Sequence, residues 1–281
     1  MNHLSLFSGI GGIDLAAEWA GMQTVAFCER EPFPQKVLKK HWPEIPIYDD
    51  VRTLTKARLE TDGIIGDGRT IDIISGGYPC QPFSHAGQRK GQDDDRHLWP
   101  EYFRLLKEIK PRWVVGENVA GHISMGLDDV LSDLESAKYS ARAIVIPAAA
   151  VGARHRRERV FVVAYTYGER ELQQKGIIEE LWGRIGDSSA FMAHSSGELS
   201  SESRSTWEWW KQPSDGSMFG RNGYDPDYWS TEPRLGRMAH GIPDRVDRLK
   251  SLGNAVVPQQ IYPIMASIKA IDDQIHYREG E

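Results

Sequence analysis

The chain of 281 residues is 40% apolar and 26% charged, enough to bury a substantial core in one large domain or one domain with a small companion. No run approaches membrane-spanning length, residues 1 to 11 lack the basic start and long apolar stretch of a signal peptide, and two cysteines form neither a disulfide framework nor a zinc site, so a cytosolic protein without a metal is expected. The net charge of −6 argues against a nucleic-acid binder until it is divided along the sequence: residues 151–260 hold 15 basic against 15 acidic side chains, and the acid excess lies elsewhere.

Leu4-Ser5-Leu6-Phe7 reads as the first strand, and Ile13 to Ala20 as a helix closed by Gly21. Thr24 to Cys28 is the second strand and ends at Glu29; residues 34–42 carry helical spacing, and Ile45-Pro46-Ile47-Tyr48 is a short extended run. Ile71 to Ser75 is strand-like, and Leu98, Tyr102, Leu105, Leu106 and Ile109 keep helical spacing until Pro111 stops it. Arg112-Trp113-Val114-Val115 is a fourth strand, ending at Gly116-Glu117-Asn118-Val119, and helical spacing returns at Leu127, Val130, Leu131 and Leu134. This alternation predicts an α/β fold with a Rossmann-like, mostly parallel sheet covered by helices on both faces.

Ala141 to Pro147 and Val160 to Tyr165 are close enough to form an antiparallel pair at the sheet edge. From about Thr166 to Arg234 the periodicity fades, and five of the nine tryptophans gather in a segment that reads as a small loop-rich lobe. Aromatic residues in a small lobe mostly build its core. Regular patterning resumes at Ser251-Leu252-Gly253-Asn254-Ala255-Val256-Val257-Pro258, and Ile261, Ile264, Met265 and Ile268 predict a closing helix.

Of the two cysteines, Cys28 lies inside an apolar run and reads as a buried small hydrophobe. Cys80 sits in Gly76-Gly77-Tyr78-Pro79-Cys80-Gln81-Pro82-Phe83-Ser84, where a strand gives way to a loop, and is the candidate nucleophile. A semi-buried cysteine in a tight turn is the competing reading. Phe7-Ser8-Gly9-Ile10-Gly11-Gly12 joins the first strand to the first helix, where glycines let a ligand approach the backbone at a helix N-terminus. It is not the dinucleotide fingerprint, because Asp14 stands where the third glycine belongs. Glu29 can accept hydrogen bonds from two ribose hydroxyls and Asp50 from an adenine amino group, so the three elements describe an adenosine-type cofactor without a pyrophosphate cradle. Arg154, Arg156, Arg157 and Arg159 crowd into Arg-His-Arg-Arg-Glu-Arg before a buried-looking strand, a placement suited to anion or base contacts.

The order Phe-Ser-Gly-Ile-Gly-Gly, Pro-Cys-Gln-Pro-Phe-Ser, Glu-Asn-Val, Arg-Arg-Glu-Arg and Gly-Asn-Ala-Val-Val-Pro resembles the DNA cytosine-5 methyltransferases of bacteria and their phages, over nearly the whole chain. The resemblance implies a class I S-adenosylmethionine-dependent catalytic domain over 1–165 and 235–281, with a target-recognition lobe over 166–234. It implies that Phe7, Gly9, Gly11, Gly12, Glu29, Asp50, Val51, Gly77, Pro79, Leu98, Asn254 and Val256 hold the cofactor, which leaves as S-adenosylhomocysteine, and that no metal takes part. Cys80 would add to carbon 6 of cytosine, and a protonated Glu117 would neutralise the charge that builds on ring nitrogen 3.

Arg157 and Arg159 alternate along a strand and so point the same way; by resemblance they would hold the flipped cytosine and its flanking phosphate. Gln81, Ser84, Arg89, Arg96 and Asn118 would contact the DNA, with Gly87 and Gly91 as hinges of a loop that closes after Cys80. The implied partner is double-stranded DNA, met by a monomer in a restriction-modification or phage setting, with any cognate endonuclease acting separately. Two departures stand out: His155 replaces the family's usual glutamine, and the arginine-rich helix motif is reduced to Arg237-Met238-Ala239-His240-Gly241-Ile242-Pro243 and Arg245-Val246-Asp247-Arg248-Leu249, the short phage and prophage form.

Three other readings compete. An RNA cytosine methyltransferase of the commoner type carries a cysteine in the segment that here holds Glu117, and none is present. A nicotinamide oxidoreductase lacks support because the third glycine is missing. A DNA-binding protein that has lost catalysis would not need Cys80, Glu117 and Arg159.

Overall fold

Strand side chains alternate between two apolar faces, and that alternation decides the architecture. Leu4, Leu6, Ile74, Val114, Val160 and Val162 fall in one core cluster, while Ile73, Trp113, Val115, Phe161 and Val163 fall in another. A sheet buried on both sides must be covered on both sides. The computed structural model describes residues 1–79, 98–153, 155–166, 183 and 244–279.

The described elements are β1 (Asn2–Leu6), α1 (Gly12–Trp19), β2 (Gln23–Cys28), α2 (Pro32–His41), β3 (Ile47–Tyr48), α3 (Lys56–Thr61), β4 (Ile73–Gly76), α4 (Trp99–Ile109), β5 (Trp113–Val119), α5 (Leu127–Ser136), β6 (Tyr139–Ile146), β7 (Arg159–Thr166), α6 (Arg245–Asn254) and α7 (Pro258–Glu279). Short 3-10 turns follow β5 at Ala120–Ser124 and β6 at Ala148–Val151. The strands form one sheet in the order β3-β2-β1-β4-β5-β7-β6. β7 runs antiparallel to both β5 and β6, so among the described strands it alone is reversed. The expected edge pair is therefore present, with β7 inserted between β5 and β6.

Tyr102, Leu105 and Leu106 of α4 and Val130 and Leu134 of α5 cover the first face. Ile13, Ala16 and Ala17 of α1 pack with Ile261, Ile264, Met265, Ile268, Ile271 and Ile275 of α7 on the second. Asp272 of α7 accepts from Trp113 Nε1 at 3.0 Å and from Arg112 Nη2 at 3.1 Å, which fixes the helix against β5. Chain order reverses at β1, which pairs with β2 on one side and β4 on the other. This is the switch point where open α/β sheets bind ligands at the carboxyl ends of their strands.

The face under α1 also buries a polar group. His3 bonds Thr24 through Nδ1 (2.9 Å) and Ser75 through Nε2 (2.7 Å), and Asp14 accepts from Ser5 at 3.1 Å and from Thr24 at 3.3 Å. His3 Nδ1 is also 3.7 Å from an Asp14 oxygen. Burial lowers the His3 pKa to about 3 and raises that of Asp14 to about 7, so near neutral pH the contact is a neutral-imidazole network and not an ion pair.

The structure adds two helices that periodicity did not reveal. α3 has only Leu59 buried and is set by Thr55, whose side chain accepts the Arg58 N–H at 3.1 Å. α6 escaped because its apolar residues point outward: Val246, Leu249 and Leu252 are 77%, 36% and 52% exposed. The strand alternation expected of Arg157 and Arg159 is not observed. β7 begins at Arg159, and Arg157 lies before it with φ 30°, a left-handed backbone that no strand contains.

Candidate active site

A cavity of about 440 Å³ opens over the switch point. Its walls come from the β1–α1 loop, the end of β2, the segment after β4, the end of β5, the start of β7 and the turn after α6. Gly12 opens α1 there, and an added Cβ would stand 2.5 Å from the Val256 carbonyl oxygen, so only glycine lets the two segments meet. A Cβ at Gly77 would stand 2.7 Å from Glu117 Oε2, which places the segment after β4 directly against the acid of β5.

Glu29, at the end of β2, is buried and reaches back over the glycine loop. One carboxylate oxygen accepts the Gly9 N–H and the other the Glu31 N–H, both at 2.7 Å. Burial raises its pKa, against the lowering effect of those backbone hydrogen bonds. A carboxylate offers about four acceptor positions, so roughly two remain for a ligand diol. Lys250 and Glu31 pair at 3.0 Å at the mouth; both are exposed, and such a pair contributes little.

Glu117 lies in β5 with 7% of its surface exposed. Burial lifts its carboxyl from 4.5 to about 7, opposed by the positive charges of Arg159 and Arg157. Arg159 Nε sits 2.7 Å from Glu117 Oε1, an ion pair by distance, yet the N–H is not aligned on the oxygen and neither atom makes a hydrogen bond. The pair is therefore a charge contact that favours the ionised acid, and it is burial that keeps the proton within reach of Glu117 near neutral pH.

Asn118 turns back instead of outward. Its Nδ2 donates to the Tyr78 carbonyl at 3.0 Å and its Oδ1 accepts the Val119 N–H at 2.9 Å. The Tyr78 hydroxyl bonds His122 Nε2 at 2.9 Å, and its ring packs against Trp99 and Tyr102. These contacts tie the chain just before Pro79 to the end of β5.

Of the residues expected from sequence, Phe7, Gly9, Gly12, Glu29, Gly77, Pro79, Glu117, Asn118, Arg159, Asn254 and Val256 all line the cavity. Gly11, Asp50, Val51, Leu98 and Arg157 do not. Gly11 caps α1 and faces Trp42 and Leu38, and Val51 is buried in the core. Asp50 bonds the Arg52 N–H at 2.9 Å, and Leu98 precedes α4 and packs on the core. Arg157 turns to the end of α6 and donates to three carbonyls there. Cys80, Gln81, Ser84, Gly87, Arg89, Gly91, Arg96 and Arg154 lie outside the described residues.

Ser8, Glu31, Phe33, Asp247 and Lys250 also line the cavity and were not anticipated. Ser8 comes with the glycine loop, and nothing local marks the other four, whose place follows from α2 and α6 meeting across the mouth. His155, in the usual glutamine's place, keeps a buried Nδ1 without a hydrogen-bond partner.

A sheet with one reversed strand, a carboxylate at the end of β2 over a glycine loop and an acid–arginine pair at the end of β5 define an α/β protein of the methyltransferase class. The chain belongs to the C-5 cytosine-specific DNA methylase family, whose model matches residues 1–201. It is 35% identical over 171 residues to the type II methyltransferase M.FnuDI of Fusobacterium nucleatum, covering 59% of this chain and 47% of that one. It is 32% identical over 179 residues to the type II methyltransferase M.AquIA of a Picosynechococcus strain, covering 59% of this chain and 72% of the relative. The chain thus spans about half the length of M.FnuDI. Among solved structures, a prophage-encoded E. coli protein assigned as a DNA modification methyltransferase matches with a TM-score of 0.50 and 26% identity, over 59% of this chain and 47% of that one.

Proposed function

We propose that the protein transfers a methyl group from S-adenosylmethionine to carbon 5 of a cytosine rotated out of duplex DNA. The observation that carries this reading is Glu117: a buried acid with its pKa raised to about 7, set against Arg159 in the wall of a cavity that Glu29 also lines. The residues fit the cofactor. Glu29 retains acceptor positions for the ribose diol, the glycine loop leaves room for an adenosine, and Asn254 and Val256 close the far wall, in a cavity of ligand size. Bound there, S-adenosylmethionine supplies the electrophilic methyl group.

This chain's residues supply the rest. Cys80, as thiolate, forms a bond to carbon 6 and breaks the aromaticity of the ring. Glu117 meets the charge that develops on nitrogen 3 with its proton, and Arg159 holds Glu117 and the base edge in place. Carbon 5 thereby gains the electron density to take the methyl group. The carbon 5 proton then leaves to solvent, its electron pair expels the Cys80 sulfur as thiolate, and nitrogen 3 returns its proton to Glu117, which restores the ring.

Residues 166–234 form the proposed target-recognition lobe, and the partner is double-stranded DNA, bound by a monomer in the cytosol. Ser84, Arg89 and Arg96 would contact it, and a cognate endonuclease would act separately. Sequencing bisulfite-treated DNA from cells expressing the chain tests substrate and target together. Protected cytosines in one recurring sequence are expected, and their absence beside a vector control contradicts the reading.

Glu29→Ala is expected to weaken S-adenosylhomocysteine binding by about tenfold to a hundredfold, the loss of two hydrogen bonds to a charged acceptor, measured by calorimetry without DNA. Unchanged affinity would remove Glu29 from the ribose role.

A further inference from the structure

Arg157 stands two residues before Arg159 with φ 30°, a conformation that persists in a non-glycine residue only where its surroundings hold it. Its Nη2 donates to the carbonyls of Leu252 (3.0 Å), Gly253 (2.6 Å) and Ala255 (2.6 Å). These belong to the last turn of α6 and the residue after it, where carbonyls have no partner inside the helix and a cation complements the helix dipole. On its other side, the backbone carbonyl of Arg157 accepts from Gln260 Nε2 at 3.0 Å, and the same nitrogen donates to the Ile146 carbonyl at 2.8 Å. Gln260 is wholly buried in the first turn of α7.

The two ends of this chain of bonds reach different parts of the cavity. Asn254, Ala255 and Val256 form the wall that meets Gly12, while Arg159 meets Glu117. We propose that Arg157 and Gln260 form a clamp that sets the cofactor wall at residues 252–256 against the Glu117–Arg159 pair, making Arg157 a positioning residue for cofactor binding and not a DNA contact. The proposal rests on the reading that the cavity takes S-adenosylmethionine. Gln260 is the discriminating partner, because a wholly buried side chain can touch neither DNA nor cofactor.

The test measures two affinities of the full chain separately: S-adenosylhomocysteine by calorimetry without DNA, and a mixed-sequence DNA duplex by fluorescence anisotropy without cofactor. Arg157→Met and Gln260→Leu are each expected to weaken S-adenosylhomocysteine at least ~10-fold, a loss of one or two hydrogen bonds, while duplex affinity stays within about twofold. The double variant should be no weaker than the worse single one, since both remove the same clamp. If Arg157→Met does not fold, Arg157→Lys, which keeps the cation with a shorter reach, carries the test with a smaller weakening.

Loss of duplex affinity with unchanged S-adenosylhomocysteine binding would overturn the clamp and return Arg157 to the phosphate role. Wild-type binding with unaltered variants would overturn the clamp alone. A wild-type chain that does not bind S-adenosylhomocysteine would overturn the functional reading beneath it.

Discussion

Cys80→Ala is expected to abolish methyl transfer, by at least ~10⁴-fold, while binding of DNA and of S-adenosylhomocysteine stays within about twofold. Carbon 5 of an intact cytosine ring is too electron-poor to attack a methyl sulfonium, and only addition of a nucleophile at carbon 6 changes that. The other cysteine cannot stand in. Cys28 is 3% exposed in β2, and burial pushes its thiol up to about 12. An ordinary thiol has a pKa of about 8.5 and is only partly ionised at neutral pH, so a guanidinium group close to Cys80 would favour its thiolate. Time-resolved transfer of labelled methyl groups to DNA measures the loss, and a variant with normal turnover excludes the covalent route.

The second large effect belongs to Glu117. Glu117→Gln is expected to slow catalysis by ~10²-fold or more, because the amide keeps the shape of the acid and cannot deliver a proton. The pH profile separates this from a packing effect. With its carboxyl raised from 4.5 to about 7, Glu117 holds its proton below about pH 7 and loses it above. Wild-type kcat/KM should therefore fall on the alkaline side from about pH 7, and the Glu117→Gln variant should lack that limb.

Stability follows the same sign. A raised folded-state pKa means that the native protein binds the proton more tightly than the unfolded chain. The contribution is fully present below pH 4.5 and is lost as pH rises through about 7, with a span on the order of 3 kcal/mol. The Glu117→Gln variant should be less pH-dependent in thermal unfolding across that window. An unchanged rate and an unchanged profile would remove Glu117 from the acid role.

Much of this was legible in the residues. Apolar strands and helical spacing gave the order of elements, because the sheet is buried on both faces and its strands read as near-continuous apolar runs. Glu29 and Glu117 were visible because one directly follows β2 and the other lies two residues before the end of β5, in the region where α/β folds place their chemistry. Helix α6 was not, since Val246, Leu249 and Leu252 face outward and its cavity-lining residues Asp247, Lys250 and Ser251 are polar.

Arg157 shows where motif reading stops. Its spacing from Arg159 suggested two side chains on one face of a strand, but the strand starts after it. Its partners, the carbonyls of Leu252, Gly253 and Ala255, lie about a hundred residues away in sequence. Gln260 is a similar case, because a buried amide joining two backbone segments has no local signature. Asn118 read as a DNA contact, yet its amide is committed to Tyr78 and Val119.

The most direct measurement is covalent capture. Duplex DNA carrying 5-fluorocytosine at the methylated position, incubated with the protein and S-adenosylmethionine, should give a complex that survives denaturation, because fluorine at carbon 5 cannot leave as a proton and the sulfur cannot be expelled. Peptide mapping by mass spectrometry should place the pyrimidine on Cys80. A duplex that the protein methylates in its unfluorinated form but that yields no adduct, or an adduct on another side chain, would contradict the account.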